Sequence, residues 1–224
     1  MTLLLFSIVF GICTIVFKIQ SRTICLRKYQ PLEAALTLGV GVAACIIIYR
    51  RSAPISLETY ALLFFYASVT YTLISFSIED VLKRSVSETH IIRFTGLMLL
   101  FITLTAVFIR DPISFGTSTF SAYENIIVGL CLTAAAATLV YLTKEKAMGK
   151  ADVYFLGIMG FMNGYHRTVN GVYVAIFTAL LFGIMVAYRK KSIRNVRIPF
   201  IPFIALGTIL GFLVGDHSFI AAFL

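Results

Sequence analysis

The chain has 224 residues, of which 59% are hydrophobic and 13% charged, and its mean hydropathy is +0.94. A water-soluble protein this rich in apolar side chains has too little polar surface to cover itself, which excludes a soluble enzyme, a nucleic-acid-binding domain and a disordered tail. The formal charge of +9, from 19 Lys and Arg against 10 Asp and Glu, then reports topology rather than a polyanionic partner.

A helix needs about 20 apolar residues to cross the hydrocarbon core of a bilayer. That ruler predicts spans at 3–19, 32–49, 57–78, 91–109, 123–143, 152–165, 172–188 and 198–215, a bundle of about eight transmembrane helices. Met1-Thr2-Leu3 puts no basic stretch before the first apolar run and no small-residue cleavage site follows, so the first segment is expected to be a retained span. The sixth is the shortest and has a re-entrant alternative. Positive charge decides between the two. If the N-terminus is outside and all eight segments cross, the inner side holds Lys18, Arg22, Arg27, Lys28, Lys83, Arg84, Arg93, Lys144, Lys146, Lys150, Arg189, Lys190, Lys191, Arg194 and Arg197, and the outer side only Arg50, Arg51, Arg110 and Arg167. A re-entrant sixth segment would carry the cluster at 189–197 outside and spoil that bias. The expectation is an all-α integral membrane protein, N-out and C-out, forming a single polytopic domain over residues 1–224. Gly207, Gly211 and Gly215, four apart on the last span, predict a close helix-packing face.

Cys13, Cys25, Cys45 and Cys131 are far apart, and no CxxC or Cys/His cluster with metal spacing occurs, so neither a disulfide framework, a metal nor a cofactor is expected. The motifs of a metalloprotease, a serine nucleophile elbow and a phosphate-binding loop are likewise missing.

Ionised carboxylates are costly inside a bilayer, so acids at span ends are the places to look for chemistry. Glu33, Glu58 and Glu124 begin spans, where an acid complements the helix dipole. Asp111, Glu145 and Asp216 have ordinary solvated roles available. Asp80 ends the third span and Asp152 opens the sixth, 72 positions apart in sequence and, by the charge-derived topology, at the same inner surface. Two carboxyls a few ångströms apart tend to share one proton, the arrangement that lets one activate water while the other protonates a carbonyl or leaving amine. Solvated end charges paired with Lys83, Arg84 or Lys150 are the plainer reading of the same residues. His90, on the inner side, is close enough in sequence to tune Asp80.

These residues resemble the type IV prepilin peptidases and archaeal preflagellin peptidases, intramembrane aspartic proteases with a Gly-x-Gly-Asp motif. Gly149-Lys150-Ala151-Asp152 is similar to that motif, with Ala151 in place of its second glycine. Asp80 resembles the family's first aspartate: it ends a span and is followed by Lys83, Arg84, Val86 at an aliphatic position and Ser87 where proline is usual. Pro199-Phe200-Ile201-Pro202-Phe203 is similar to the proline-containing start of the family's last span. Order and spacing match over a peptidase-like core of about 57–224.

The resemblance implies an Asp80/Asp152 catalytic dyad, with Gly149, Lys150, Ala151, Lys83 and Arg84 as substrate-binding or motif-supporting residues. It implies prepilin-like or pseudopilin-like protein substrates whose short basic leader is removed at the cytoplasmic face of the plasma membrane, with membrane lipids as the other partner and no role for nucleic acid. The segment between the first two spans, Gln20–Pro31, holds the single Cys25, so the resemblance does not extend to the paired-cysteine module that accompanies methyltransferase activity. A glycine just before the aspartate allows positive φ, so Ala151 is expected to tighten or alter the loop there. The competing readings are a small transporter or channel that uses the aspartates for cations or protons, and a non-catalytic assembly subunit.

Overall fold

The computed structural model describes residues 57–108, 113–115, 118–145, 148–190 and 198–214. The predicted spans at 3–19 and 32–49, three of the four cysteines, Gly215 and most of the basic cluster at 189–197 lie outside the described residues. Helix α1 is Leu57–Lys83 and α2 is Glu88–Phe108. Strands β1 (Ile113–Phe115) and β2 (Ser118–Phe120) follow. Then come α3 (Ala122–Thr143), α4 (Lys150–Lys190) and α5 (Ile201–Val214). Three helices among the described residues, Glu88–Val107, Ala122–Thr143 and Lys150–Arg189, are long and apolar enough to cross a membrane, and Ile201–Leu213 is a shorter apolar helix.

The strands depart from the all-helical expectation. They form an antiparallel ribbon with Ser114 opposite Thr119, in a connection that the hydropathy ruler reads only as a loop.

Helix α4 is where the sequence ruler is refined. It contains one residue of non-helical backbone, Gly164, at φ 64° and ψ −170°. That glycine reverses the chain. Thr168 Oγ1 donates to the Met159 carbonyl at 3.4 Å, and a Cβ on Gly171 would lie 3.2 Å from Met159 Sδ. On an unbroken helix those pairs would be about 13.5 and 18 Å apart. The predicted sixth and seventh spans are therefore the legs of a helical hairpin, 150–163 and 165–190, joined at Gly164 rather than by an open loop at 166–171. The legs measure about 21 and 39 Å.

Breaking a helix at Gly164 strands backbone groups that i→i−4 bonding would have satisfied. In an apolar bundle each such group costs several kcal/mol if left bare, on the order of 2 or more. Here side chains replace the missing bonds. The Met162 carbonyl accepts from Tyr66 Oη at 2.7 Å and from Asn125 Nδ2 at 3.2 Å, and the Tyr165 N–H donates to Glu124 Oε1 at 2.8 Å. Asn163 Nδ2 donates to the Thr208 carbonyl at 3.0 Å, tying α5 to the same tip. Arg167, counted from sequence as an outer surface charge, is 1% exposed and donates to the Thr119 carbonyl of β2. It is a buried tie between the hairpin and the ribbon.

The core lies along α1 and the hairpin. On α1 the buried side chains Leu62, Tyr66, Val69, Leu73 and Phe76 recur every three or four residues, one face of a helix. Phe65 stacks on Phe101 of α2, with ring centroids 4.2 Å apart, and Phe76 meets Phe155 of α4 edge-on at 5.5 Å. Helix α4 packs against α3 and α5, and α5 against α1. Gly207 and Gly211 face the second leg of the hairpin, where added Cβ atoms would run into the carbonyls of Gly171 and Arg167, so the predicted close-packing face is present over the described part of α5.

Candidate functional site

Asp80 falls on the buried stripe of α1, four residues after Phe76, and this periodicity turns a carboxyl near the end of the helix into the bundle rather than out to water. It is 8% exposed. Its carboxylate accepts the backbone N–H of Ile201, the first residue of α5, so the stranded N-terminal donor of one helix is satisfied by an acid from the end of another. The apolar stripe of the first α4 leg, Phe155, Leu156 and Met159, begins in the same way with Asp152. Asp152 Oδ2 accepts the Gly149 N–H at 3.0 Å, and the Asp152 N–H donates back to the Gly149 carbonyl at 3.2 Å. The first of these bonds is half of a capping box, with aspartate in the role usually played by glutamate, while the second is a backbone turn bond, since Gly149 has no side chain to supply the other half.

Both acids line one cavity of about 1010 Å³, where the charge of Asp80 acts on Asp152. Its walls come from the end of α1 and the turn after it (Arg84, Ser85, Val86), from the α3–α4 connection (Glu145, Met148, Gly149), from Ala179 on the second leg, and from the approach to α5 (Ile198, Pro199, Phe200, Ile201). The three motifs singled out from sequence thus converge on one space. Of the supporting residues, Gly149, Ala151 and Arg84 line it. Lys83 is instead paired with Glu79 along the outside of α1, at 3.0 Å, and Lys150 with Glu145 at 3.0 Å. His90 is not among the walls.

Gly149 and Ala151 correct one expectation. Among the described glycines positive φ occurs at Gly164, and neither Gly149 nor Ala151 adopts it. Ala151 is an ordinary helical residue in the first turn of α4, so a methyl group there strains nothing. Ser87 in place of proline is equally compatible: its carbonyl accepts from the N–H groups of His90 and Ile91 at 3.0 and 3.1 Å and opens α2.

Two contributors escape a reading of the sequence. The Ile201 N–H is a backbone donor with no residue-type signature. Glu145, read as an ordinary solvated charge among lysines, stands on the cavity wall because α3 ends in two successive left-handed residues, Lys144 (φ 50°) and Glu145 (φ 61°). No groups of His, Cys, Asp and Glu able to hold a metal ion occur among the described residues. Compared with protein-family models, with curated proteins and with solved structures, the chain matches none.

Chemically the site offers two carboxyl groups on the wall of one cavity of mixed polarity, each accepting a backbone N–H.

Proposed function

We propose that the chain is a membrane-embedded aspartic endopeptidase. What carries the reading is the convergence of Asp80 and Asp152, from distant parts of the sequence, on the wall of a single cavity. In this mechanism one carboxylate takes a proton from a water molecule as its oxygen attacks a peptide carbonyl. The other, protonated, carboxyl donates to the carbonyl oxygen. Collapse of the tetrahedral intermediate expels the amine, which leaves with the proton first taken from water. The two acids titrate as a pair, and the roles of base and acid belong to the pair.

The substrate class is a prepilin-like or pseudopilin-like protein, with a short basic leader joined to an apolar helix and cut at the cytoplasmic face. Eight spans with both termini outside, the arrangement that collects fifteen of nineteen basic residues on one side, bring the helix ends around the cavity to that face. The location of the acids at helix ends, beside polar and basic residues, supports it: water reaches this depth, and a substrate helix held in lipid presents its leader junction there.

The test is co-reconstitution of the full chain with a leader-bearing substrate in liposomes, reading the new N-terminus by mass spectrometry. Wild type cleaves, and Asp80→Asn and Asp152→Asn each lower the rate by at least about a thousandfold. Cleavage persisting in either variant removes the dyad. Proton or cation flux that both substitutions abolish, with no cleavage, assigns the pair to transport.

A further inference from the structure

Contacts between the helices give a common height scale along the bundle. The rings of Phe76 and Phe155 lie side by side. From there Asp80 is four residues, about 6 Å, towards the cavity end of α1, and Asp152 three residues, about 4.5 Å, in the same direction on the first leg of α4. The two carboxyls thus stand at one height, and Ala179 of the second leg lines the same cavity. Beyond that height the two flanks of the bundle differ in chemistry. On the α1–α2 flank, Lys83, Arg84, Ser85 and Glu88 follow at once, all exposed. On the second leg the chain stays apolar from Leu180 to Tyr188, which lies about 13.5 Å past Ala179, and Leu180, Leu181 and Ile184 are each more than half exposed.

The far end repeats the contrast with its sense reversed. Tyr66 bonds to Met162 beside the hairpin tip, and its neighbour Phe65 stacks on Phe101, so Phe101 marks the height of the tip on α2. The tip is already polar, with Glu124 and His166 exposed. Helix α2 continues six residues, about 9 Å, to Val107, which is apolar and more than half exposed. Exposed apolar side chains seek hydrocarbon and polar ones leave it. A dent in one leaflet would leave the far end level, whereas offsets of opposite sense at the two ends are what tilting the whole bundle accommodates.

We infer that the bundle sits inclined in the bilayer, so that the inner membrane surface crosses the cavity obliquely. Its α1–α2 side is the aqueous mouth, and its second-leg side is walled by acyl chains of the inner leaflet. Water then reaches both carboxyls without crossing hydrocarbon. The inference rests on the membrane-embedded, inner-face reading above and does not depend on peptide cleavage.

The chain has no tryptophan, so a single introduced indole reports one position. Val81→Trp and Leu180→Trp probe the cavity height on the two flanks, and Val107→Trp and Tyr165→Trp the far end; all four positions are more than half exposed. Each full-length variant is placed in phosphatidylcholine nanodiscs whose chains are unlabelled or dibrominated near their ends, with acrylamide as the aqueous quencher. Acrylamide quenches Val81→Trp about threefold more strongly than Leu180→Trp, and the brominated chains quench Leu180→Trp about twofold more strongly than Val81→Trp. At the far end Tyr165→Trp behaves like Val81→Trp, and Val107→Trp like Leu180→Trp. A lost fold exposes every indole alike and does not reproduce an order that switches flanks between the two ends. Equal quenching within either pair overturns the inclination, as does a far-end pair in which Val107→Trp is the more accessible to acrylamide. No quenching by brominated chains at any position overturns the membrane reading as well, whereas the expected pattern in a protein that cleaves no leader-bearing substrate overturns the peptidase reading alone.

Discussion

Asp152 accepts the Gly149 amide hydrogen, so replacing it has two consequences that different substitutions separate. Alanine removes the cap as well as the carboxyl and lowers stability by about 1 kcal/mol, the usual worth of a helix cap. Asparagine keeps an oxygen for the Gly149 N–H while losing the ability to take a proton. Thermal unfolding in detergent is expected to show a lower midpoint for Asp152→Ala than for Asp152→Asn, with cleavage absent from both. At the neighbouring position the helical backbone makes a sharper statement. Restoring glycine by Ala151→Gly should leave cleavage within about twofold of wild type and cost up to about 1 kcal/mol of helix stability. A large gain in rate would mean that the alanine methyl obstructs substrate after all. The aspartates stood out in the sequence as acids at span ends; the hydrogen bonds that orient them did not, because backbone donors such as Ile201 N–H leave no trace in residue type.

The helical hairpin turns on a single residue with φ 64° and ψ −170°, a region open essentially to glycine alone. A Cβ on Gly164 would also sit 2.8 Å from Asn125 Oδ1 and 3.1 Å from Glu124 Oε1. Gly164→Ala is therefore expected to destabilise the protein by about 2–3 kcal/mol, measured by unfolding in a detergent series. Removing one of the donors to the Met162 carbonyl, through Tyr66→Phe or Asn125→Ala, leaves that acceptor half served and costs about 1–2 kcal/mol each. Since the two donors share one acceptor, the double variant should cost more than the sum of the singles. Hydropathy found both legs, because each is apolar. It placed the turn late, on the polar run that begins at His166-Arg167-Thr168, because the partners that stabilise the reversal at Gly164 come from α1 and α3, about 40 to 100 positions away in sequence.

At the scale of the molecule the two ends of the bundle have different characters. One end gathers the α1–α2 turn, the α3–α4 connection and the approach to α5 around the cavity. The other holds the hairpin tip, the β ribbon and buried Arg167. With the native cysteines replaced by serine, Ser85→Cys and Gly149→Cys in oriented vesicles should react with an impermeant thiol reagent from the cytoplasmic side, and Thr119→Cys from the opposite side. Labelling of all three from one side removes the proposed topology. Charge counting misjudged Arg167, for it has no way to tell a headgroup anchor from a cation folded into the protein. The hairpin tip also governs the carboxyl at the far end of its short leg. Asp152 lies twelve positions before Gly164, the tip is clamped by bonds to the backbone, and an α-helix advances its azimuth by about 100° per residue. One alanine inserted within 155–161 would swing Asp152 off the cavity wall with every side chain of the site still encoded, so the length of this leg is as much a part of the candidate active site as the aspartate it carries.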